Sequence, residues 1–338
     1  MNIQTIPIKD MKNMIHNNKP QIIINKCLKP VIYLDTNIMI ELSKYENGTC
    51  KNERKHEIGK LYIVLTTAMR ENRILCPLGN QLQEMGMSKG RRDSKDFLYR
   101  FTNSELLNPD EIEEIESKIG YQTFVKNENT IHFNSCQFFV KDSNITSPFI
   151  IKIAPEYNQE KLVKLQNEKQ NIVDALNDAK SKGCLNVNIE EQIKNELNAD
   201  YQVLSYTLEN LNKDYKNYIR YLDIIGTIHR HTSLLEKSCS EQVNIRTKYD
   251  EFLQSTHHHN LPYKWIQANL WAHRMQRHNK IVQGDYLDTK WASAYIPFVD
   301  YAVTDNDCCN LIQNSGLANQ YNTKVFSLKT INELISII

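Results

Sequence analysis

Two short apolar runs in this chain each end in aspartate. Val31–Leu34 leads into Asp35, and Phe298–Val303 leads into Thr304 and Asp305. Such runs are typical of buried parallel strands, and the carboxyl ends of parallel strands meet at the sheet edge where α/β proteins bind ligands. Carboxylate oxygens are the ligands that hard divalent cations prefer. The pattern therefore predicts a divalent-metal site that the fold assembles from segments distant in the sequence.

Two more acids lie in segments that could reach such a site. Glu84 follows a short apolar run and a turn, at the start of a predicted helix. Asp288 lies on a predicted helix whose apolar face carries Trp291, Ala292 and Tyr295. Asp285 competes for the same role, but its position suits a helix N-cap better. At the last strand both Asp305 and Asp307 flank Asn306, so the identity of the fourth acid stays open.

These elements resemble the acidic site of PIN-domain nucleases, over roughly residues 29–100 and 262–338. The resemblance implies that Asp35, Asp288 and Asp305 bind Mg²⁺ or Mn²⁺ directly, and that Glu84 binds a second ion or orients the attacking water. Asn37 and Thr304 would hold the carboxylates and the phosphate, with Asp285 and Asp307 beside them.

The resemblance also implies a fold and an activity. The expected fold is α/β: a three-layer PIN-like domain with a central, mostly parallel sheet, interrupted by a helical insertion that resembles a coiled-coil hairpin. The expected reaction is metal-dependent hydrolysis of phosphodiester bonds in single-stranded or structured RNA, with DNA as an alternative substrate. The roles of PIN-domain proteins also suggest that this protein is a toxin or a defence effector.

Two other interpretations compete with that of an active PIN-like nuclease. A strand that ends in aspartate also opens phosphohydrolases of the haloacid dehalogenase type, but these need a second aspartate two residues on, where this chain has Asn37. A catalytically degenerate PIN-like protein, acting as a scaffold or an RNA-binding module, is the second alternative. The ambiguous fourth acid and the large insertion keep that alternative open.

Basic residues in two segments are candidates for nucleic-acid contacts. Phosphate binding relies on Lys and Arg, and aromatic side chains can stack on bases. One segment follows Glu84 and offers Phe97 or Tyr99 for stacking; the other precedes Asp285. The competing interpretation is a solvated surface in both places. The candidates are Lys89, Arg91, Arg92, Lys95, Arg274 and Arg277.

The rest of the chain divides by pattern. We predict an N-terminal leader (1–28), the first part of the PIN-like domain (29–153) with a strand-rich extension (121–153), a helical insertion (154–260) and the second part of the domain (261–338). Within the extension we expect strands at 123–126, 131–140 and 149–153. A helix that begins near residue 109 is expected to end near Gly120. In the insertion, apolar heptad spacing predicts one continuous helix from Asn188 to about Ile228.

Composition excludes several classes of protein. Lys and Arg number 41 against 40 Asp and Glu, so nucleic-acid binding must use local basic patches. Eight cysteines without a CxxC pair predict reduced thiols in a cytoplasmic protein. No apolar run is long enough to cross a membrane. The helical insertion is a candidate surface for a protein partner or for homo-oligomerisation.

Overall fold

The computed structural model describes residues 19–338 except 52, 87–91, 141–158, 182–186, 212, 214 and 278. The strands are β1 (Gln21–Asn25), β2 (Ile32–Leu34), β3 (Pro77–Leu78), β4 (Ser104–Glu105), β5 (Thr130–Asn134), β6 (Tyr301–Val303) and β7 (Lys324–Phe326). The α-helices are α1 (Thr36–Glu46), α2 (Lys55–Arg70), α3 (Gln81–Gly86), α4 (Arg92–Phe101), α5 (Pro109–Val125), α6 (Gln159–Ser181), α7 (Ile189–Leu197), α8 (Ala199–Glu209), α9 (Tyr215–Thr232), α10 (Cys239–Leu253), α11 (Thr256–His259), α12 (Pro262–Gln276), α13 (Gln283–Tyr295), α14 (Asn306–Asn314), α15 (Leu317–Gln320) and α16 (Ile331–Ile337). Single-turn 3₁₀ helices span Ser135–Phe138 and Leu234–Glu236.

The described residues form two compact units, and the fold is mixed α/β with short parallel strands. The helical unit comprises the described parts of Met1–Ile24, Asp110–Phe133 and Val187–Ala272. The sheet unit comprises those of Asn25–Pro109, Asn134–Asn186 and His273–Ile338. Among the described helices, none combines the length and the apolar character that crossing a membrane requires.

Five short strands of the sheet unit run parallel to one another. β2 pairs with β6, and β6 pairs with β7. β3 pairs with β4, and a bridge between Val31 and Leu75 joins the segments that precede β2 and β3. The order is therefore β4-β3-β2-β6-β7, with β3 and β4 on one side of β2 and β6 and β7 on the other. The carboxyl ends of β2 and β6 flank the point where this order reverses, and open α/β sheets bind ligands at such switch points.

Alternation along β2 buries side chains on both faces of the sheet. Ile32 and Leu34 belong to the same buried cluster as side chains of α1, α2 and α4. Tyr33 points to the opposite face, since successive side chains of a strand alternate. Its ring lies 5.2 Å from the ring of Trp291 and 4.7 Å from that of Tyr295, both on α13. Helices therefore cover both faces of the strand that ends at Asp35.

The strand-rich extension predicted for residues 121–153 is wrong in its first part. α5 continues through Gly120 and ends at Val125, and the chain turns at Asn127, whose backbone has a φ of 54°. Gly120 does not end the helix; it lets Leu261 approach, because a Cβ at that position would lie 2.7 Å from the Leu261 Cδ2 atom. The strand predicted for 131–140 is limited to β5, with a 3₁₀ turn after it. The strand predicted for 149–153 lies outside the described residues.

The continuous heptad helix predicted from residue 188 to about 228 is also wrong. The segment instead forms α7, α8 and α9, with breaks near Asn198 and Asn210. The Asn198 side-chain amide donates to the Lys194 carbonyl oxygen at 2.7 Å, and the Asn210 amide donates to the Tyr206 carbonyl oxygen at 2.7 Å. Asparagine side chains compete in this way with the helical hydrogen-bond pattern. The apolar spacing therefore marks packing faces of three shorter helices.

Candidate metal centre

Asp35 and Asp305 follow the carboxyl ends of β2 and β6, by one residue and by two. Each is the N-cap of the helix that follows its strand. The Asp35 Oδ1 atom accepts a hydrogen bond from the Thr36 backbone N–H at 2.6 Å. The Asp305 Oδ1 atom accepts from the backbone N–H groups of Asp307 and Cys308 at 2.8 and 2.9 Å. Capping therefore uses one oxygen of each carboxylate and fixes the direction of the other.

Asp288 completes a group of three acids from three segments. One carboxylate oxygen each from Asp35, Asp288 and Asp305 lies within 4.8 Å of the other two. Oxygen ligands sit roughly 2.0–2.6 Å from Mg²⁺ or Ca²⁺, so two oxygens across one ion are about 4–5 Å apart. The three oxygens therefore have the spacing that a single divalent cation requires.

Glu84 lies beside this group without belonging to it. The Thr36 hydroxyl donates to its Oε2 atom, and the Asn80 side-chain amide donates to its Oε1 atom. Asn80 is itself held by the Tyr33 hydroxyl, which donates to the Asn80 Oδ1 atom at 2.5 Å. Both Glu84 oxygens are thus held in place by residues at the ends of β2 and β3.

Three carboxylates of this centre, those of Asp35, Glu84 and Asp288, have raised pKa values. Burial, followed by the charges of Glu84 and Asp288, raises the pKa of Asp35 well above its usual range. Burial, with the charges of Asp305 and Glu84, raises the pKa of Asp288 to about 7, although the Arg274 guanidinium opposes the rise. Burial also raises the pKa of Glu84. A bound cation would favour the ionised forms of all of them.

Two buried cations lie beside the acids. Arg274 is only 4% exposed and pairs with Asp285 and with Asp288, whose Oδ2 atom lies 3.4 Å from Nη2. Lys169, on α6, is 7% exposed, and its positive charge opposes the rise in the pKa of Glu84. Five carboxylates, counting Asp285, thus face two buried cations. Full ionisation leaves a net negative charge that a divalent cation would reduce.

The other predicted acidic-site residues have separate positions. Thr304 is buried, and its hydroxyl donates to the Asp35 Oδ2 atom at 3.1 Å. Asn37 is exposed and lines, with Thr304 and Asp305, a surface hollow of about 290 Å³. Asp285 accepts a hydrogen bond from the Val282 backbone N–H at 2.9 Å, as a residue of the first turn of α13. Asp307 is 89% exposed and outside the three-acid group, so the geometry favours Asp305 as the fourth acid.

The predicted nucleic-acid contacts divide into three groups. Lys89, Arg91 and the side chain of Arg92 lie outside the described residues. Lys95 is half-buried on α4, and Arg277 is 35% exposed, with its Nη1 atom 3.6 Å from the Asp307 carboxylate. Arg274, predicted as a phosphate contact with a solvated surface as the alternative, is instead buried, and its guanidinium pairs with the acids of α13.

The structure adds one residue to the site and removes another from the nucleic-acid candidates. Lys169 interrupts the apolar spacing of its helix. That interruption is the only sign in the sequence that this lysine lies near Glu84. α6 is fixed next to α13 by two hydrogen bonds of 2.9 Å between the Asn177 side chain and the Ile281 backbone. Phe97 cannot stack on a base, because its side chain is fully buried in the core beside α1.

No protein-family model, curated protein or solved structure matches this chain.

Proposed function

We propose that this protein is a PIN-like nuclease that hydrolyses phosphodiester bonds, with RNA as the preferred substrate and Mg²⁺ or Mn²⁺ as the cofactor. The observation that carries the proposal is the meeting of Asp35, Asp288 and Asp305 oxygens within 4.8 Å, at the switch point of a parallel sheet. The strand order and the helices on both faces of β2 are compatible with the three-layer arrangement that the sequence resemblance implies.

The donor set fits a hard divalent cation. All ligands are carboxylate oxygens, which Mg²⁺ and Mn²⁺ prefer, whereas Zn²⁺ sites favour histidine and cysteine ligands. The remaining positions around Mg²⁺ are usually taken by water and substrate oxygens. When bound, the ion would lower the pKa of a coordinated water and neutralise charge on the phosphoryl group.

The residues of the chain have distinct tasks in this proposal. Asp35, Asp288 and Asp305 hold the ion. Glu84, fixed at both oxygens by Thr36 and Asn80, holds the attacking water or a second ion. Thr304 fixes the Asp35 carboxylate, and Asn37 faces the solvent hollow where a phosphate would approach. Single-stranded RNA suits this centre better than duplex, since one backbone must reach a buried carboxylate, Asp35, and the half-buried Asp288 and Asp305.

A second candidate function follows from Arg274. Its guanidinium already pairs with Asp285 and Asp288, so part of the acidic charge is balanced within the protein. This pairing favours a catalytically inactive PIN-like scaffold or RNA-binding module as the alternative. Such a protein would bind RNA with little dependence on divalent ions and would not cleave it.

Cleavage of labelled oligonucleotides tests the proposal. Single-stranded RNA and DNA of the same sequence are incubated with the protein and Mn²⁺, Mg²⁺ or EDTA, beside Asp35→Asn and the exposed control Asp307→Asn. We expect metal-dependent cleavage of RNA by the wild type and by Asp307→Asn, and none by Asp35→Asn. Cleavage of DNA alone would identify DNA as the substrate in place of RNA. RNA binding without cleavage would favour the inactive scaffold or RNA-binding module. Cleavage that persists in Asp35→Asn would reject the site.

A further inference from the structure

Two thiols of the sheet unit lie against each other outside the acidic centre. The Sγ atoms of Cys27 and Cys136 are 3.1 Å apart, although 109 positions separate the residues in the chain. Cys136 is exposed and Cys27 is partly exposed. A disulfide bond is about 2.05 Å long, so the two sulfur atoms need to approach by only about 1 Å to form one.

Hydrogen bonds anchor the two chain segments that carry Cys27 and Cys136. The neighbouring Lys26 side chain donates from Nζ to the carbonyl oxygens of Val299 and Asn322, at 2.6 and 2.8 Å. The backbone N–H of Cys136 donates to the Asn134 Oδ1 atom at 3.0 Å, at the start of a 3₁₀ turn. The contact between the sulfur atoms is therefore a feature of two anchored segments.

The other end of the 3₁₀ turn is anchored as well. The Phe138 ring packs on the Phe298 ring with centroids 4.0 Å apart, and the Phe138 carbonyl oxygen accepts from the Leu107 backbone N–H at 2.8 Å. Oxidation of the pair would consequently require little rearrangement of the sheet unit.

We propose that Cys27 and Cys136 form a site of reversible oxidative modification, with hydrogen peroxide or a related two-electron oxidant as the reactant. The exposed Cys136 thiolate attacks one peroxide oxygen, which releases hydroxide and leaves a sulfenic acid on Cys136. The Cys27 sulfur then attacks the Cys136 sulfur, the S–O bond breaks, and hydroxide leaves. The two thiol protons and the two hydroxides make two water molecules, while the sulfur atoms lose two electrons to the peroxide.

The environment of Cys27 decides this order of steps. Burial, together with the contact with Cys136, raises the pKa of Cys27 to about 12. A thiol with so high a pKa is a poor first nucleophile in solution, because the thiolate is the reactive form. As the second nucleophile it attacks a sulfur atom that is already in contact with it. Cys136 therefore reacts first and Cys27 resolves the intermediate.

The position of the pair predicts the consequence of oxidation. Cys27 precedes β2, whereas Asp35 follows β2, so the thiols and the metal centre lie towards opposite ends of the strand. The bond would close a long loop and restrict the unfolded chain, which stabilises the folded protein. We expect a higher Tm in the oxidised protein and unchanged Mn²⁺ binding.

Peptide mapping after peroxide treatment tests the proposal. The protein is exposed to increasing peroxide, remaining thiols are alkylated, and the digest is analysed by mass spectrometry without reduction. We expect a linked Cys27–Cys136 peptide that forms before the exposed Cys239 is modified and that dithiothreitol cleaves. Modification of Cys239 while Cys27 and Cys136 both remain open to alkylation would overturn the proposal.

Matched variants separate the disulfide from general oxidation. Cys136→Ser should lose the peroxide-induced rise in Tm, and Cys239→Ser should keep it, provided that both have the wild-type Tm when reduced. In Cys27→Ser, Cys136 should stop at sulfenic or sulfinic acid, without a linked peptide. A rise in Tm that survives in Cys136→Ser would also overturn the proposal.

Discussion

Single carboxylates in this site perform two tasks at once. Asp35 caps α1 through Oδ1 and accepts the Thr304 hydroxyl through Oδ2, and one of its oxygens also belongs to the three-acid group. An N-cap aspartate after a strand is common and needs no metal. What distinguishes Asp35 is burial to 2% exposure next to other acids, which no capping role explains.

Replacement of Asp35 should separate capping from metal binding. In Asp35→Asn the amide oxygen can still cap α1, while the negative charge is lost. We expect the variant to keep its fold and to lose the rise in Tm that Mn²⁺ causes in the wild type, because a ligand stabilises only a protein that binds it. Thermal melts with and without Mn²⁺ check this, with Asp307→Asn as the exposed control. An equal Mn²⁺-induced rise in Asp35→Asn would contradict the assignment.

The raised pKa of Asp288 predicts how stability depends on pH. The folded-state pKa is about 7, against roughly 3.9 in an unfolded chain, so the folded protein binds more protons between these values. Its free energy of unfolding without metal should therefore fall as pH rises from 4 to 7, by on the order of 3 kcal/mol.

Urea denaturation in EDTA at several pH values measures this effect, and Asp288→Asn should show a flatter profile. With Mn²⁺ present the trend should weaken or reverse, since the ion binds the ionised carboxylates. Identical profiles for the wild type and Asp288→Asn would show that Asp288 does not titrate in this range.

Lys169 should tune the pKa of Glu84. Its removal in Lys169→Met takes away the positive charge that opposes the effect of burial, so the pKa of Glu84 should rise further. We expect the pH–rate profile of RNA cleavage to shift towards alkaline pH, with Lys169→Arg close to wild type. Lys180→Met, on the same helix, is the matched control. A uniform loss of rate without a shift would indicate a structural role only.

At the scale of helices and strands, the sequence predicted the elements that carry the acids better than it predicted where helices end. The apolar run before Asp35 predicted β2, and the spacing of Trp291 and Tyr295 predicted α13 with Asp288 on it. The ends of helices were less predictable. The sequence pattern predicts a helix end at Gly120, but the glycine is needed there because Leu261 packs against it. A contact between residues so distant in sequence leaves no local pattern. The breaks at Asn198 and Asn210 arise from side-chain amides that the heptad spacing concealed.

Gly120 provides a test of this explanation. Alanine normally stabilises a helix interior by about 1 kcal/mol relative to glycine. In Gly120→Ala the new Cβ would meet Leu261, and such overpacking costs roughly 1–3 kcal/mol, so we expect net destabilisation.

Gly226 on α9 is the matched control, because the nearest atom to its Cβ is the Arg230 Nη1 atom at 3.7 Å. Gly226→Ala should therefore stabilise the protein. The free energy of unfolding from urea titrations measures both effects, and the double variant Gly120→Ala/Leu261→Ala should show less than additive destabilisation. A stabilised Gly120→Ala variant would contradict the packing account.

At the scale of the whole molecule, topology assembles the site. Asp35 and Asp305 meet because β2 and β6 are parallel neighbours at the point where the strand order reverses. The sequence predicted this meeting from two strand ends, but the compact units group residues differently from the predicted segments. Residues 110–133 belong with the helical unit, whereas α6, which was assigned to the insertion, belongs with the sheet unit and brings Lys169 to Glu84.

Equilibrium binding of Mn²⁺, measured by electron paramagnetic resonance, tests most directly the claim that three carboxylates form one divalent-metal site. We predict saturable binding by the wild type and by Asp307→Asn, and at least about tenfold weaker binding by Asp35→Asn, Asp288→Asn and Asp305→Asn, since each removes a charged ligand. Equal binding by all five proteins would contradict the account, because the acids would then meet without holding a metal ion.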